Sequence, residues 1–263
     1  MIGRARFAFS VLAFGYAFLY LPIALVILYS FNDSRLVTVW AGFSTRWWKA
    51  LIENEAMIEA AWLSLRIGLV SATLATILGL AAGYVLARIP RFPGRTLFGV
   101  LVVAPMVIPE VVMGISMLLL FVGSDRLLGG PERGFLTITA GHVTFSMAFV
   151  AVVVQARLAD FDRSLEEAAM DLGATPWMTF LTITLPLIAP ALVSGWLLAF
   201  TLSLDDLILT QFVAGAQSQT LPMRVYSSVR LGVDPQINVL ATIVVCVAAS
   251  ALTVSTWLTR KNR

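Results

Sequence analysis

The chain has 263 residues, 59% of them hydrophobic, with 18 Lys and Arg against 15 Asp and Glu and a formal net charge of +3. A soluble domain is about 45–50% apolar and about 25% charged, so a chain with only 13% charged residues is not one. A single cysteine and a single histidine exclude a disulfide framework and a thiol–metal cluster.

Six apolar stretches, 7–31, 67–87, 96–123, 135–156, 180–204 and 237–259, contain one charged residue between them, Glu110. About 20 helical residues cross a hydrocarbon layer of about 30 Å, and each stretch reaches that length. Lipid offers no partner to a backbone N–H or C=O, so spans must be helices or strands closed into a barrel. Runs such as LVVAPMVIP and LATIVVCVAA lack the alternation of a barrel strand. The predicted fold class is all-α integral membrane, with six transmembrane helices.

The first stretch follows Arg4 and Arg6. It is longer than a signal-peptide core of about 7–15 residues and no small-residue cleavage site follows, so it reads as a retained span. Six spans place both ends on one side. That side carries Arg88, Arg91, Arg95, Arg157 and Arg163 in short loops, with Arg4, Arg6, Arg260, Lys261 and Arg263 at the ends. Basic residues concentrate at the cytoplasmic edge of spans, which predicts a multi-pass membrane protein with both termini cytoplasmic.

The outer segment 32–62 carries Trp40, Trp47, Trp48 and Trp62 and then Glu53, Glu55 and Glu59. It reads either as an interface-lying segment with tryptophans at headgroup level or as a docking surface for an external partner. The last outer loop, 210–236, predicts a short helix over 221–231. His142 has no Cys, Asp or Glu at ligand spacing and reads as a hydrogen-bonded residue between helices. Cys246 reads as a small packing residue of the last span.

The segment 158–186 between spans four and five is the most informative. Phe161, Leu165, Ala168, Ala169 and Leu172 recur at helical spacing, while Asp162, Glu166, Glu167 and Asp171 lie elsewhere around the helix. Ser164 and Glu167 fit a capping box, Gly173 is placed for a left-handed stop, and Thr175 with Pro176 can start a second helix. A helix lying on anionic lipid presents Lys and Arg; this one presents four carboxylates, which favours a protein partner.

Glu167, Ala168 and Ala169, then three residues, Gly173, nine residues, and Ile183, Leu185 and Pro186 spell EAA-x3-G-x9-I-x-L-P. This resembles the signature cytoplasmic loop of the membrane subunits of bacterial ABC importers. The stretches SFNDSRLVTVWAGFSTRWW, EEAAMDLGATPW, SGWLLAFTLSLDDL and TLPMRVYSSVRLGVDPQIN are similar to the putrescine and spermidine importers, most of all to the second, putrescine-type permease subunit. The resemblance implies an ABC importer type I permease fold, with 1–263 as one permease domain and 158–186 as the coupling loop within it. It implies that Glu167, Ala168, Ala169 and Gly173 couple to a cytoplasmic ATPase, Glu167 by contact, by capping its own helix, or by both.

The implied partners are a second, homologous permease subunit in a heterodimer, two ATPase subunits, an external polyamine-binding protein, the polyamine and membrane lipid, with no nucleic acid. The sequence has no GxxxxGK[ST] phosphate loop, so the chain is expected to be a transport subunit and not an enzyme. It binds no cofactor itself on this reading; ATP and Mg belong to the ATPase.

A cationic passenger needs negative sites along its route. Glu110 lies near the middle of the third stretch, where an ionised side chain costs about 2.5–3.5 kcal/mol on insertion scales, and Pro105 and Pro109 can open the helix beside it. Asp205 and Asp206 end the fifth stretch. The substrate-pathway reading has the aspartates attract the cation and Glu110 stabilise it part-way. The other reading has Glu110 pair with a second subunit and the aspartates orient the outer loop. Trp196, Phe200 and Phe212 can add cation–π contact or simply pack. An importer for another small solute, or a secondary transporter, are the rival functions; the latter usually needs internal repeats and intramembrane charge pairs.

Overall fold

The computed structural model describes residues 2–36, 39–232 and 234–261. Val37, Thr38, Val233 and Arg263, named in the stretches above, lie outside the described residues, as do the side chains of Arg4, Arg6, Arg260 and Lys261. In chain order the helices are α1 (Ile2–Tyr29), α2 (Arg46–Ile52), α3 (Glu55–Arg88), α4 (Arg95–Val107), α5 (Glu110–Leu128), α6 (Phe135–Ala159), α7 (Ser164–Asp171) and α8 (Pro176–Thr179). A π-helical turn, Phe180–Thr184, joins α8 to α9 (Leu185–Asp205), and α10 (Ile208–Val213), α11 (Leu221–Leu231) and α12 (Gln236–Lys261) follow.

Five of these helical segments, not six, are long and apolar enough to cross a membrane among the described residues: Phe7–Tyr29, Glu55–Arg88, Glu110–Leu128, Phe135–Ala159 and Pro176–Asp205. The expected third span, 96–123, is broken. Ile108 is extended at φ −72° and ψ 129°, and so is Pro109 at φ −55° and ψ 134°. Proline has no N–H to continue the ladder and its ring drives the preceding residue out of the α region. α4 therefore stops after 13 residues, and the 19-residue α5 supplies the only membrane-crossing length there. Of the expected sixth span, the described apolar part, Gln236–Ser250, is too short.

The chain divides into two compact units, 1–59 with 225–263, and 60–224. In the first, α12 packs on α1 and α2. The segment after α1 is folded on its own side chains. Buried Asn32 donates from Nδ2 to Val39 O at 2.7 Å and accepts from Ala41 N at 2.9 Å, mimicking a backbone turn. Trp48 Nε1 donates to Ser30 O at 3.1 Å while its ring stacks on Phe31, and Trp47 is buried. Those two tryptophans are structural; Trp40 is exposed. Cys246 is exposed on α12 and does not pack within the chain as expected.

In the second unit α6 is the most enclosed span, and its core residues Val150, Val154 and Leu158 meet Ala72 and Ala75 of α3 and Ile188 and Ala199 of α9. α3 and α6 approach closely because α3 offers Gly79 and Gly83. A Cβ at Gly79 would lie 2.6 Å from the Val150 side chain, and one at Gly83 2.6 Å from the Ala151 carbonyl. Small residues are how helices gain dispersion contact where lipid removes the hydrophobic drive between them.

Candidate functional site

Between α6 and α8 the chain makes a short, self-capped loop. The expected capping box does not form. Ser164 is the first helical residue and its N–H is accepted by the Asp162 carboxylate at 3.0 Å. That hydrogen bond holds the exposed Asp162 carboxyl below the usual range. The end of α7 follows the sequence more closely. Gly173 is left-handed at φ +92°. Ala174 N–H reaches Ala169 O at 3.0 Å and Gly173 N–H reaches Met170 O at 2.9 Å, the paired bonds of a Schellman stop. Thr175 Oγ1 then accepts Met178 N–H at 3.3 Å with Pro176 in the first turn of α8, as its type and position predict.

Apart from Glu166, no side chain of α7 is enclosed. Glu167 and Ala168 are exposed, Ala169 is partly so, and Gly173 lies open with nothing within 4 Å of the place a Cβ would take. Leu165, Met170, Leu172, Trp177 and Met178 are exposed as well, Leu172 by 91%. Of the expected apolar stripe, Leu165, Ala168 and Leu172 are thus exposed, while Ala169 and Phe161 are partly covered. Glu166 is the exception. It turns inward to Arg88 of α3, Nε to Oε2 at 3.1 Å, with the two side chains only 8% and 13% exposed.

A second polar cluster lies within the same unit. His142 of α6 has Nε2 3.2 Å from Asp206 Oδ2 and 2.9 Å from Thr210 Oγ1, and Nδ1 2.6 Å from Ser203 Oγ. A carboxylate only accepts, so Nε2 is the side of the ring that donates to Asp206, and Nδ1 shares a hydrogen bond with Ser203 Oγ. Ser71 Oγ of α3 in turn donates to Ser203 at 3.1 Å. Ser71, Ser203, His142 and Asp206 form a connected row of hydrogen bonds linking α3, α9 and α6. Asp206 also accepts Thr210 N–H at 2.8 Å and Leu209 N–H at 3.3 Å, which caps α10.

The three acidic residues singled out in the sequence thus stand in different settings. Asp206 is turned into protein. Asp205, the last residue of α9, is exposed. Glu110 is partly buried, and it is not in the middle of a span: the break at Ile108 and Pro109 puts it at the first residue of α5, beside that helix's free N–H groups.

The aromatic residues named with them pack on neighbours in the chain. Trp196 stacks on Phe200 at 5.3 Å and donates from Nε1 to Thr73 Oγ1 at 3.1 Å. Phe212 covers Gly114, where a Cβ would come within 2.4 Å of its ring. His142 makes interhelical hydrogen bonds, as its isolation in the sequence predicts, but its pairing with Asp206 joins residues 64 positions apart and has no local signature. Among the described residues no three His, Cys, Asp or Glu are grouped to hold a metal ion.

Residues 75–261, more than half of the chain, match the family described as binding-protein-dependent transport system inner membrane component. The putrescine transport system permease protein PotI of Escherichia coli (strain K12) is 54% identical over 242 residues, covering 92% of this chain and 86% of that one. The spermidine/putrescine transport system permease protein PotC of Haemophilus influenzae is 41% identical over 247 residues, 94% of each chain.

Among solved structures, a bacterial ABC transporter involved in the import of the acidic polysaccharide alginate aligns with a TM-score of 0.73 at 17% identity, over 97% of this chain and 95% of that one. The inward-facing MetNI methionine ABC transporter gives 0.61 at 17% identity, over 76% and 92%. At that identity the likeness is one of fold. Fold and family together support the general importer architecture of a permease pair, an ATPase and a periplasmic binding protein. The chain belongs to the polyamine (putrescine and spermidine) permease family, as a non-catalytic, multi-pass inner-membrane subunit of an ABC importer.

Proposed function

We propose that this chain forms half of the pathway of a polyamine importer, with putrescine its first substrate, and that it works by alternating access. The observation that carries the reading is the outward face of α7 and its Gly173 turn: a stiffly capped helix with exposed Glu167, Ala168, Leu165 and Met170, built to be covered by another protein. Residues 158–186 are the coupling loop within a permease domain that spans 1–263. Glu167, Ala168, Ala169 and Gly173 seat in a cytoplasmic ATPase. ATP, with Mg, closes a pair of ATPase subunits; the loop moves; the cavity shared with a second, homologous permease subunit switches sides.

The polyamine arrives from an external binding protein. Asp205 and Glu110 are the negative sites on its route, and Asp206 holds the shape around them through His142. The 54% identity to the putrescine permease PotI supports the putrescine preference. Four of the membrane-crossing helices separate the N-terminus from the α7 loop, so both lie on one side, and Arg88, Arg91, Arg95, Arg157 and Arg163 support that side as the cytoplasm.

Proteoliposomes holding the permease pair and its ATPase, supplied with the binding protein and ATP, test this. ATP-dependent uptake of radiolabelled putrescine is expected, with spermidine competing and an uncharged sugar not. Uptake of the sugar but not of either amine overturns the polyamine assignment. Uptake driven by a proton gradient without ATP overturns the importer reading.

A further inference from the structure

We infer that Arg88, Glu166 and Thr184 form the joint through which movement of the α7 loop reaches the spans, acting as positioning residues for transport. The inference rests on the coupling reading and adds to it the internal half of the linkage. A helix that transmits a push must be stiffly attached to what it pushes, and α7 leaves its other side chains exposed or, at Ala169, partly so. Glu166, its side chain only 13% exposed, is its anchor.

The anchor has several partners. Arg88 ends α3, and its guanidinium meets Glu166 twice: Nη2 donates to Oε1 at 3.3 Å, and Nε lies 3.1 Å from Oε2, off the hydrogen-bonding axis. The same guanidinium donates from Nη1 to Leu158 O of α6 at 3.1 Å and sits over the Phe161 ring at 5.3 Å. On the far side Thr184 Oγ1 donates to Glu166 Oε1 at 2.6 Å. One carboxylate thus ties α7 to α3, to α6 through Arg88, and to the root of α9. A pair this enclosed is not the screened contact of a surface ion pair: removing one partner leaves a buried charge without its counterpart.

Thr184 is the last residue of the π-helical turn, whose wide ladder is seen in the Leu185 N–H bond to Phe180 O. Pro186 explains it: without an N–H it cannot serve the carbonyl four residues back, so the ladder there re-forms at a wider spacing. The joint therefore grips the span at its least regular turn, where a change of register is cheapest.

The test uses the whole importer in proteoliposomes and reads ATP hydrolysed per putrescine imported, with Ala168→Cys crosslinking to the ATPase as the measure of docking. Glu166→Gln and Arg88→Gln are expected to raise that ratio at least about fivefold while the crosslink persists. Thr184→Val, which removes a single hydrogen bond and keeps the side-chain shape, is expected to raise it about twofold. The exchanged pair Arg88→Glu with Glu166→Arg is expected to return it to within about twofold of the parent. A persisting crosslink with an unchanged ratio in all three single variants overturns the joint and leaves the coupling reading standing. An exchanged pair no better than the single variants also overturns it. Absence of the crosslink in the otherwise native chain overturns the coupling reading itself.

Discussion

His142 and Asp206 meet at 3.2 Å, Nε2 to Oδ2, fastening α6 to the residue just beyond α9. Two neighbouring aspartates are thereby given different work: Asp206 spends its acceptor capacity on His142, Thr210 and Leu209, while Asp205 stays exposed. Asp206→Asn is expected to lower the thermal midpoint of the detergent-purified subunit by several degrees. The loss is about 1–3 kcal/mol for a buried partner left mismatched. Asp205→Asn is expected to stay within about 0.5 kcal/mol of the parent, as surface changes do. Equal shifts in the two variants would sink the distinction.

Transport should sort the same residues differently. With Glu110 at the head of α5 and Asp205 open, Glu110→Gln and Asp205→Asn are each expected to raise the KM for putrescine about tenfold, about 1.4 kcal/mol of binding. Assembly with the ATPase stays intact. Initial-rate uptake in proteoliposomes measures it, and parent-like kinetics in both variants would remove the two carboxylates from the route.

Gly173 offers a test of backbone conformation alone. Its φ of +92° suits glycine, yet a Cβ there would touch nothing. A non-glycine residue held left-handed costs about 1–2 kcal/mol, a factor of roughly five to thirty in the population of the native turn. Gly173→Ala is expected to reduce ATPase co-purification and putrescine uptake together by that factor. Gly173→Asn, which tolerates this region better, is expected to lose less. Loss in both variants to the same extent would point to crowding by the partner instead.

Legibility in the sequence followed the range of the physics. The Gly173 stop, the Thr175 and Pro176 start and the bounds of α11 depend on residues within a turn of each other, and they stand where the sequence predicts them. Hydropathy averages over a window, so it merged α4 and α5 into one span although Pro109 marked the break in plain sight. Gly79 and Gly83 read as ordinary span residues until Val150 and Ala151 are seen against them. The Glu166 bond to Thr184 and the His142 bond to Asp206 join residues brought near only by packing, and no local pattern announces them.

Pro109 carries the last prediction. Alanine restores the N–H that proline lacks, and proline inside a helix is about 3 kcal/mol less favourable than alanine. Pro109→Ala is expected to join α4 to α5 into a continuous rod and to take Glu110 away from a helix start. Spin labels at positions 100 and 118 are expected to report a longer and narrower distance distribution, with putrescine uptake reduced. An unchanged distribution would show that neighbouring packing, not the proline, sets the break.

The π-helical turn fixes a rotational phase. Each residue advances an α-helix by about 100°, so a turn holding one residue more than its neighbours offsets every side chain beyond it by that angle. Deleting a single residue from Phe180–Thr184 would make the ladder regular and swing the face of α9 away from Val150 and Val154 relative to the loop before it. The loop and the span are thus set like a key and its bit: the angle at which one enters determines which surface the other turns toward the core.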